Sequence, residues 1–375
     1  MIAVVFAAAM YTVTPIVLPT GTSTDALEDR QFAANRKRVE SNATLARNGA
    51  VGVLLHTGDL RNNRLLIVRT NGTHVVLSSP TEVRNAKTHW LQACPQPNVA
   101  CAMFENAVLA DDGTPFATLR RIFSGAYSGV DDVAARWTGT QWTNAAPRGT
   151  SMTATNLNVA AVDTPENFAV NGDFGNSNAN FDAAKADPRY QAEETAWCRA
   201  APCTRLGYGS AKGIRGSRVV GFDAGLRSVG YMNEPPHATM AVMWQNARER
   251  KLGPGVAYAV DGDGNAVGSD EATLGAPGFP ILWPRTGKAI RLGTRPGVAV
   301  GISESGTIVG TIDENVAFVA SAHDLQRRVL ELSSSIDDRS WSIDRAFGIA
   351  SNGRILARGH RHGRPERLLL LDPHR

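Results

Sequence analysis

The chain has 375 residues, of which 43% are hydrophobic and 20% charged, and its 39 basic and 35 acidic side chains leave a net charge of +4. That balance excludes a disordered chain and a chain buried throughout in lipid, and the scatter of Lys and Arg excludes the concentrated basic face that nucleic-acid binding requires. Its 36 glycines and 19 prolines are spread along the sequence, as expected of many short strands joined by tight turns.

Residues 1–10 (MIAVVFAAAM) are apolar and reach a small-residue run at Ala7, Ala8 and Ala9, the composition of the end of a secretory signal peptide. Export to the periplasm, the cell surface or the medium is therefore expected. The apolar run is too short to span a bilayer, so no integral membrane segment is expected. Tyr11 to Leu18 (YTVTPIVL) has the β-branched composition of a strand, and Pro15 confines it to an edge. The polar stretch from Thr20 to Glu40, with Arg36, Lys37 and Arg38, reads as a solvated surface.

From Thr44 onwards one pattern recurs: a strand, a turn at a glycine, a second short strand, a variable loop, an apolar third strand and a fourth. TLARNGAVGVLLH and RLLIVRTNGTHVVL open the series, with Asn48-Gly49 and Asn71-Gly72 expected as two-residue primed turns. A second copy turns at Asp112-Gly113. The third is divergent, with no glycine in its first hairpin, and Asp182 to Thr195 beside it is weakly helical in pattern. Later turns fall near Gly216, Gly264, Gly306 and Gly353, at spacings of 42 to 48 residues. That period belongs to propeller blades. The expected fold is all-β: a single β-propeller over residues 11–375, with seven four-stranded blades at about 41–80, 100–145, 150–209, 210–253, 254–294, 296–333 and 340–375. The last copy ends one strand short at RLLLLDPHR, so residues 11–18 are expected to pair beside Arg367 to Leu371 and close the ring.

The repeats resemble those of the HAF-repeat family of exported bacterial proteins. The matching residues are Gly348-Ile349 with Asn352-Gly353, Gly301-Ile302 with Ser305-Gly306 and Gly310, Ala317-Phe318, and Ile281-Leu282-Trp283, with Val316 standing where that family has histidine. YTVTPIVLP resembles the usual start of the mature chain, and Leu330 through Trp341 to Pro373 the usual last copy. The resemblance implies an exported, propeller-like repeat protein and carries over no catalytic residues. The function expected is that of a non-catalytic binding or interaction module at the cell envelope or outside it. One alternative is a propeller-type glycan-active hydrolase or lyase acting at the axial mouth, where Asp111, Asp112, Asp163, Asp223 or Glu304 would converge; another is a structural envelope component. A glycan or an envelope protein is the partner expected, to a monomer that needs no cofactor.

Four cysteines form two local pairs, Cys94 with Cys101 and Cys198 with Cys203, whose spacing favours two small disulfide loops over a zinc site. Asp261, Asp263 and Asn265 have the spacing that opens a calcium loop, but Ala266 and Ala272 replace its glycine and glutamate, so a plain hairpin turn is the better reading. His360 and His362 lie two apart on an expected strand near Arg358, Arg361 and Arg364, which disfavours a cation and makes a solvated edge the better reading. Ser303 and Ser305 precede no helix and make no nucleophile elbow. No Ser/His/Asp set, Walker loop or HExxH motif is present. Trp137, Trp197, Trp244 and Trp283 recur at one place in successive copies and are expected between blades, with carbohydrate stacking as the rival role. Trp90, Trp142 and Trp341 lie off that register and are the candidate exposed platforms for a ligand, together with Asp223 and Glu304.

Overall fold

A computed structural model describes residues 11–24, 43–56, 63–79, 102–123, 129–145, 155–173, 194–199, 204–206, 217–222, 227–234, 238–245, 248–272, 276–324 and 329–374. Among them the regular structure is β, apart from a 3-10 turn at Leu332–Ser335, and no described helix is long and apolar enough to cross a membrane. The strands are β1 (Tyr11–Pro15); β2 (Ala43–Leu45), β3 (Val51–Leu55), β4 (Arg64–Val68) and β5 (His74–Ser78); β6 (Ala102–Leu109), β7 (Pro115–Phe123), β8 (Gly129–Trp137) and β9 (Trp142–Asn144). Next come β10 (Thr155–Thr164), β11 (Asn167–Asp173), β12 (Glu194–Arg199) and β13 (Thr204–Leu206), then β14 (Ser217–Phe222), β15 (Arg227–Glu234), β16 (Ala238–Gln245) and β17 (Arg248–Pro254). The last three groups are β18 (Val256–Val260), β19 (Ala266–Ser269), β20 (Pro280–Trp283) and β21 (Ile290–Arg291); β22 (Gly297–Ile302), β23 (Thr307–Ile312), β24 (Val316–Ser321) and β25 (Leu330–Glu331); and β26 (Trp341–Ile349), β27 (Ile355–Arg361) and β28 (Arg367–Pro373).

Each group is a four-stranded antiparallel meander, and the last is completed by β1, in the order β1-β28-β27-β26. Tyr11 lies opposite Pro373, Val13 opposite Leu371 and Pro15 opposite Leu369. Ile16 N–H donates to the Leu368 carbonyl at 2.8 Å. Ladder bonds alternate along an antiparallel edge, so the Pro15 nitrogen faces away from β28 and no bond is lost there.

The four strands of a sheet differ in burial. The second strands are enclosed on both faces: every residue of β3 and β19 is buried. Such strands must read as continuous apolar runs rather than alternating ones. Outer strands are polar and exposed, as in β17, whose first four residues Arg248, Glu249, Arg250 and Lys251 all face solvent. Charge along an open edge discourages pairing with another chain.

The core lies between sheets. Leu54, Leu65 and Ile67 pack with Phe104, Leu119 and Trp142 across the first and second. Phe116 meets Phe168 between the second and third, with ring centroids 5.4 Å apart. Met243 lies with Trp283 between the fourth and fifth, Leu282 with Ile308 between the fifth and sixth, and Val309 with Trp341 between the sixth and seventh. Ile16, Leu356 and Leu368 of the last sheet pack with Val51, Val53 and Leu66 of the first. Of the recurrent tryptophans, Trp244 and Trp283 are buried on third strands, where an inter-sheet role was expected, and Trp137 is half-buried.

Innermost strands carry a recurrent irregularity. Register shifts fall between Ala257 and Ala259, Ala299 and Gly301, and Ala346 and Gly348. A bulge bends the strand and re-aims one side chain, here Tyr258, Val300 and Phe347.

Candidate functional site

Hairpins joining the innermost strand of a sheet to the second share one scaffold. In Ala46–Ala50, Ala110–Thr114, Asp261–Asn265, Ser303–Thr307 and Ala350–Arg354, the first N–H donates to the fifth carbonyl, and the fourth residue, a glycine, donates to the first carbonyl. Those glycines, Gly49, Gly113, Gly264, Gly306 and Gly353, have φ between 74° and 92°, which only glycine adopts without strain. The loop is therefore three residues long, a type I turn closed by a left-handed glycine. This corrects the two-residue primed turns expected at Asn48-Gly49 and Asn71-Gly72; the latter shows the same pair of bonds, Arg69 to Thr73 and Gly72 to Arg69. The asparagine side chains hold the longer loop, since Asn48 Oδ1 accepts from Ala50 N–H at 2.8 Å and Asn71 Oδ1 from Thr73 N–H at 3.0 Å.

One scaffold gives one position to the first loop residue of these five sheets, namely Arg47, Asp111, Gly262, Glu304 and Ser351. These residues meet. The Arg47 guanidinium pairs with Glu304 through Nη2 and Oε1, and its Nε lies 3.4 Å from Asp111 Oδ2. Arg47 Nε also donates to Ser351 Oγ at 3.3 Å, and Ser351 N–H to the Arg47 carbonyl at 3.0 Å. Glu304 Oε2 accepts from Gly262 N–H at 3.0 Å. A side chain at Gly262 would overlap the Glu304 carboxylate, so the fifth sheet presents its backbone at this point. Arg227 Nη1 braces that loop by donating to the carbonyls of Asp261 and Gly262, at 3.1 and 2.7 Å.

Beside this cluster lies a cavity of about 190 Å³, lined by Arg47, Glu304 and Ser351 at its polar side and by Leu45, Val260, Val300, Ile302, Phe347 and Ile349 elsewhere. Two of the bulged residues, Val300 and Phe347, are thus wall residues. The side chains of Arg47, Asp111 and Glu304 are 23%, 27% and 40% exposed, a partly desolvated setting in which charge acts more strongly than in water. One cation between two anions leaves a net charge of −1. Arg47 Nη1 is buried and has no partner among the described residues; an unpaired buried donor costs about 1–3 kcal/mol, which an acceptor oxygen on a ligand would recover. The cluster thus brings two carboxylates and a guanidinium together, groups that can supply a base or nucleophile and an anion-stabilising cation.

Of the five carboxylates expected to converge, Asp111 and Glu304 do so. Asp112 is exposed, with Oδ1 accepting from Thr114 N–H at 2.8 Å. Asp163 sits on β10 with its side chain outside the described residues, and Asp223 and Trp90 lie outside them entirely. Two expected platforms need correction. Trp142 is 3% exposed and packs edge-on against Phe104 at 5.3 Å; Trp341 is 6% exposed, in the core between the last two sheets. Both lie off the third-strand register because they fill a different part of the inter-sheet core. Asp261 is buried and occupied by its own turn: Oδ1 accepts from the N–H groups of Asp263 and Asn265, and Oδ2 from Asn265 Nδ2. The hairpin reading of Asp261, Asp263 and Asn265 accounts for these bonds, and among the described residues no three His, Cys, Asp or Glu side chains gather as a cation site would need. Cys94, Cys101 and Cys203 lie outside the described residues, as does the side chain of Cys198 on β12. His360, expected on a solvated edge, has Nδ1 at 2.9 Å from Asp344 Oδ2, while Ser303 and Ser305 bond to each other at 2.9 Å. Sequence reasoning passed over Arg47, Gly262 and Ser351; the signal that finds them is their shared place, two residues before a turn glycine, Gly49, Gly264 and Gly353 respectively.

No protein-family model and no curated protein matches the chain. Among solved structures it is similar to the β-propeller domain of the Trilobed protease from Pyrococcus furiosus, at TM-score 0.50 and 11% identity, over 89% of this chain and 93% of that one. It also matches the acylaminoacyl peptidase of Pyrococcus horikoshii (TM-score 0.48, 12% identity, 88% of this chain and 50% of that one) and a prolyl endopeptidase (0.49, 13%, 94% and 54%). The chain thus spans about half the length of those two peptidases. The propeller it matches over most of both chains is part of a protease, so the expectation of a non-catalytic binding module does not stand. What the likeness establishes is the fold: the chain is a β-propeller protein.

Proposed function

We propose that this chain is a hydrolase-type propeller that receives its substrate at the mouth formed by Arg47, Asp111, Glu304 and Ser351. The observation that carries the reading is the meeting of charged first-loop residues from different sheets beside a cavity with apolar walls. One of Glu304 and Asp111 acts as base or nucleophile and the other, in its acid form, protonates the leaving oxygen, while Arg47 orients both carboxyl groups. Glycans are the substrate class of this reading, because hydrolysis of a glycosidic bond draws on a pair of carboxylates. A second reading is supported by the fit to a protease's propeller: the mouth admits substrate to a separate hydrolase unit.

In both readings the sheets form a closed, seven-bladed ring. This is supported by the packing of each sheet's first strand on the preceding sheet, β6 on β3 and β26 on β22 to β24, and of β2 on β26 and β27. Membership of the exported HAF-repeat proteins, and export itself, are further parts of the proposal, supported by the repeat residues at Gly301-Ile302, Gly348-Ile349 and Ile281-Leu282-Trp283 and by the apolar residues 1–10.

The test is turnover by the purified chain on a polysaccharide panel, read as reducing ends released, beside a panel of peptidyl p-nitroanilides. The first reading expects glycan turnover that falls about 10²–10⁴-fold in Glu304→Gln or Asp111→Asn. Turnover untouched by both variants would remove the mouth as the reacting site. Inactivity on both panels would reject the first reading and leave the second to be tested by peptide binding at the mouth.

A further inference from the structure

A second concave site lies between the first and second sheets, on the outer side of the same turns. It is a groove of about 190 Å³ lined by Asn48, Arg69, Thr70, Asp112 and Trp137 over an apolar floor that includes Ile67 and Leu77. Within each turn the first loop residue goes to the mouth, as Arg47 and Asp111 do, and the next, Asn48 or Asp112, goes to the groove. We propose that this groove binds one neutral pyranose ring, a site independent of any reaction at the mouth.

Trp137 supplies the platform. Its ring is half-buried and backed by Trp142 at 5.5 Å, which is itself wedged against Phe104 at 5.3 Å. An indole held from behind offers a preorganised apolar surface to the C–H face of a sugar. Polar groups surround it. Arg69 and Asp112 are both exposed, and among the described residues neither the Arg69 guanidinium nor the second carboxylate oxygen of Asp112 has a partner. Asn48 keeps its amide nitrogen beside Gly113, where an added Cβ would stand 3.4 Å away. Guanidinium, carboxylate and amide groups are planar and multidentate, the chemistry that takes adjacent hydroxyls in pairs.

Size and charge narrow the ligand. The volume of about 190 Å³ falls below the roughly 300–1,000 Å³ of sites for drug-sized ligands, so the groove takes a single ring. One cation and one anion cancel, which favours a neutral polyol over a uronate or an amino sugar. The turn itself does not need the charge at Asp112: its bond to Thr114 N–H is made equally well by the amides of Asn48 to Ala50 and Asn352 to Arg354 in sibling turns.

That equivalence supplies a clean variant. Calorimetry and tryptophan fluorescence on the full chain, titrated with the methyl pyranosides of glucose, galactose and mannose, should show saturable binding to at least one in the millimolar range. Asp112→Asn, which preserves the turn, and Arg69→Gln, on an exposed side chain, should each weaken that binding about tenfold or more. Trp137→Phe should weaken it and remove the fluorescence change, with unfolding midpoints reporting whether the fold is intact. No binding by any neutral pyranoside would overturn the proposal. So would binding that all three variants leave unchanged, or glucuronate binding as tightly as methyl glucoside.

Discussion

Replacing Arg47 by methionine tests whether charge holds the mouth together. Its two ion pairs, to Asp111 and Glu304, involve side chains 23–40% exposed. Fully exposed pairs contribute about 0.2–1 kcal/mol, and hydrogen bonds to charged groups about 1.5–3 kcal/mol. Each Arg47 contact falls between these, at about 1–2 kcal/mol. Arg47→Met loses both and leaves two carboxylates facing each other without a cation, so the expected cost is about 2–3 kcal/mol. Glu304→Gln keeps an acceptor for Gly262 N–H and should cost about 1 kcal/mol. In a double-mutant cycle of these two changes, urea unfolding at low salt should give a coupling of about 1–2 kcal/mol. At 1 M salt, where the screening length is about 3 Å, the coupling should shrink by roughly half. Additivity within about 0.3 kcal/mol would mean that Arg47 does not clamp Glu304 in solution, and the reading of the mouth as a charge-held site would fall with it.

Moving the proline of β1 by one residue should be decisive for the last sheet. Thr14→Pro removes an inward ladder donor and should lower stability by about 1–3 kcal/mol, whereas Pro15→Val should stay within about 0.5 kcal/mol, both read from urea midpoints. Burial raises the Tyr11 phenol above its ordinary 10.0. The unfolded chain therefore loses this proton first, so stability is whole below pH 10 and declines as pH rises towards the folded value. Tyr11→Phe should flatten that alkaline loss in midpoints measured from about pH 9 to 11; an unchanged slope would refute the assignment. Lastly, Gly268→Ala would drive a methyl into the Val256 carbonyl and to within 2.9 Å of Trp283, and should cost more than about 3 kcal/mol. Gly72→Ala, with φ 80° but nothing within 4 Å, should cost about 1 kcal/mol, and equal losses at the two positions would contradict the packing described.

Short-range chemistry is what the amino-acid sequence determined without help. A glycine that must adopt positive φ, an Asx side chain beside it and an apolar run too continuous to be half-exposed each act within a few residues, so the strands of the later repeats and the turns at Gly264, Gly306 and Gly353 could be read directly. The unpartnered strand at Tyr11 was legible too, because a repeat one strand short leaves a ladder of unpaired backbone groups. Tertiary structure alone decided which loop residues meet. Arg47 and Glu304 are brought together from sheets far apart in sequence, and the one local mark of Arg47, its place two residues before a turn glycine, says where it sits but not what it meets. The fates of Trp142 and Trp341 were likewise settled by the packing of one sheet on the next, and the bulges that aim Val300 and Phe347 into the cavity are set by the register of each strand against its partner. The loop length was misread for a related reason: Asn-Gly permits both a two-residue and a three-residue hairpin, and the choice rests with the register of the paired strands.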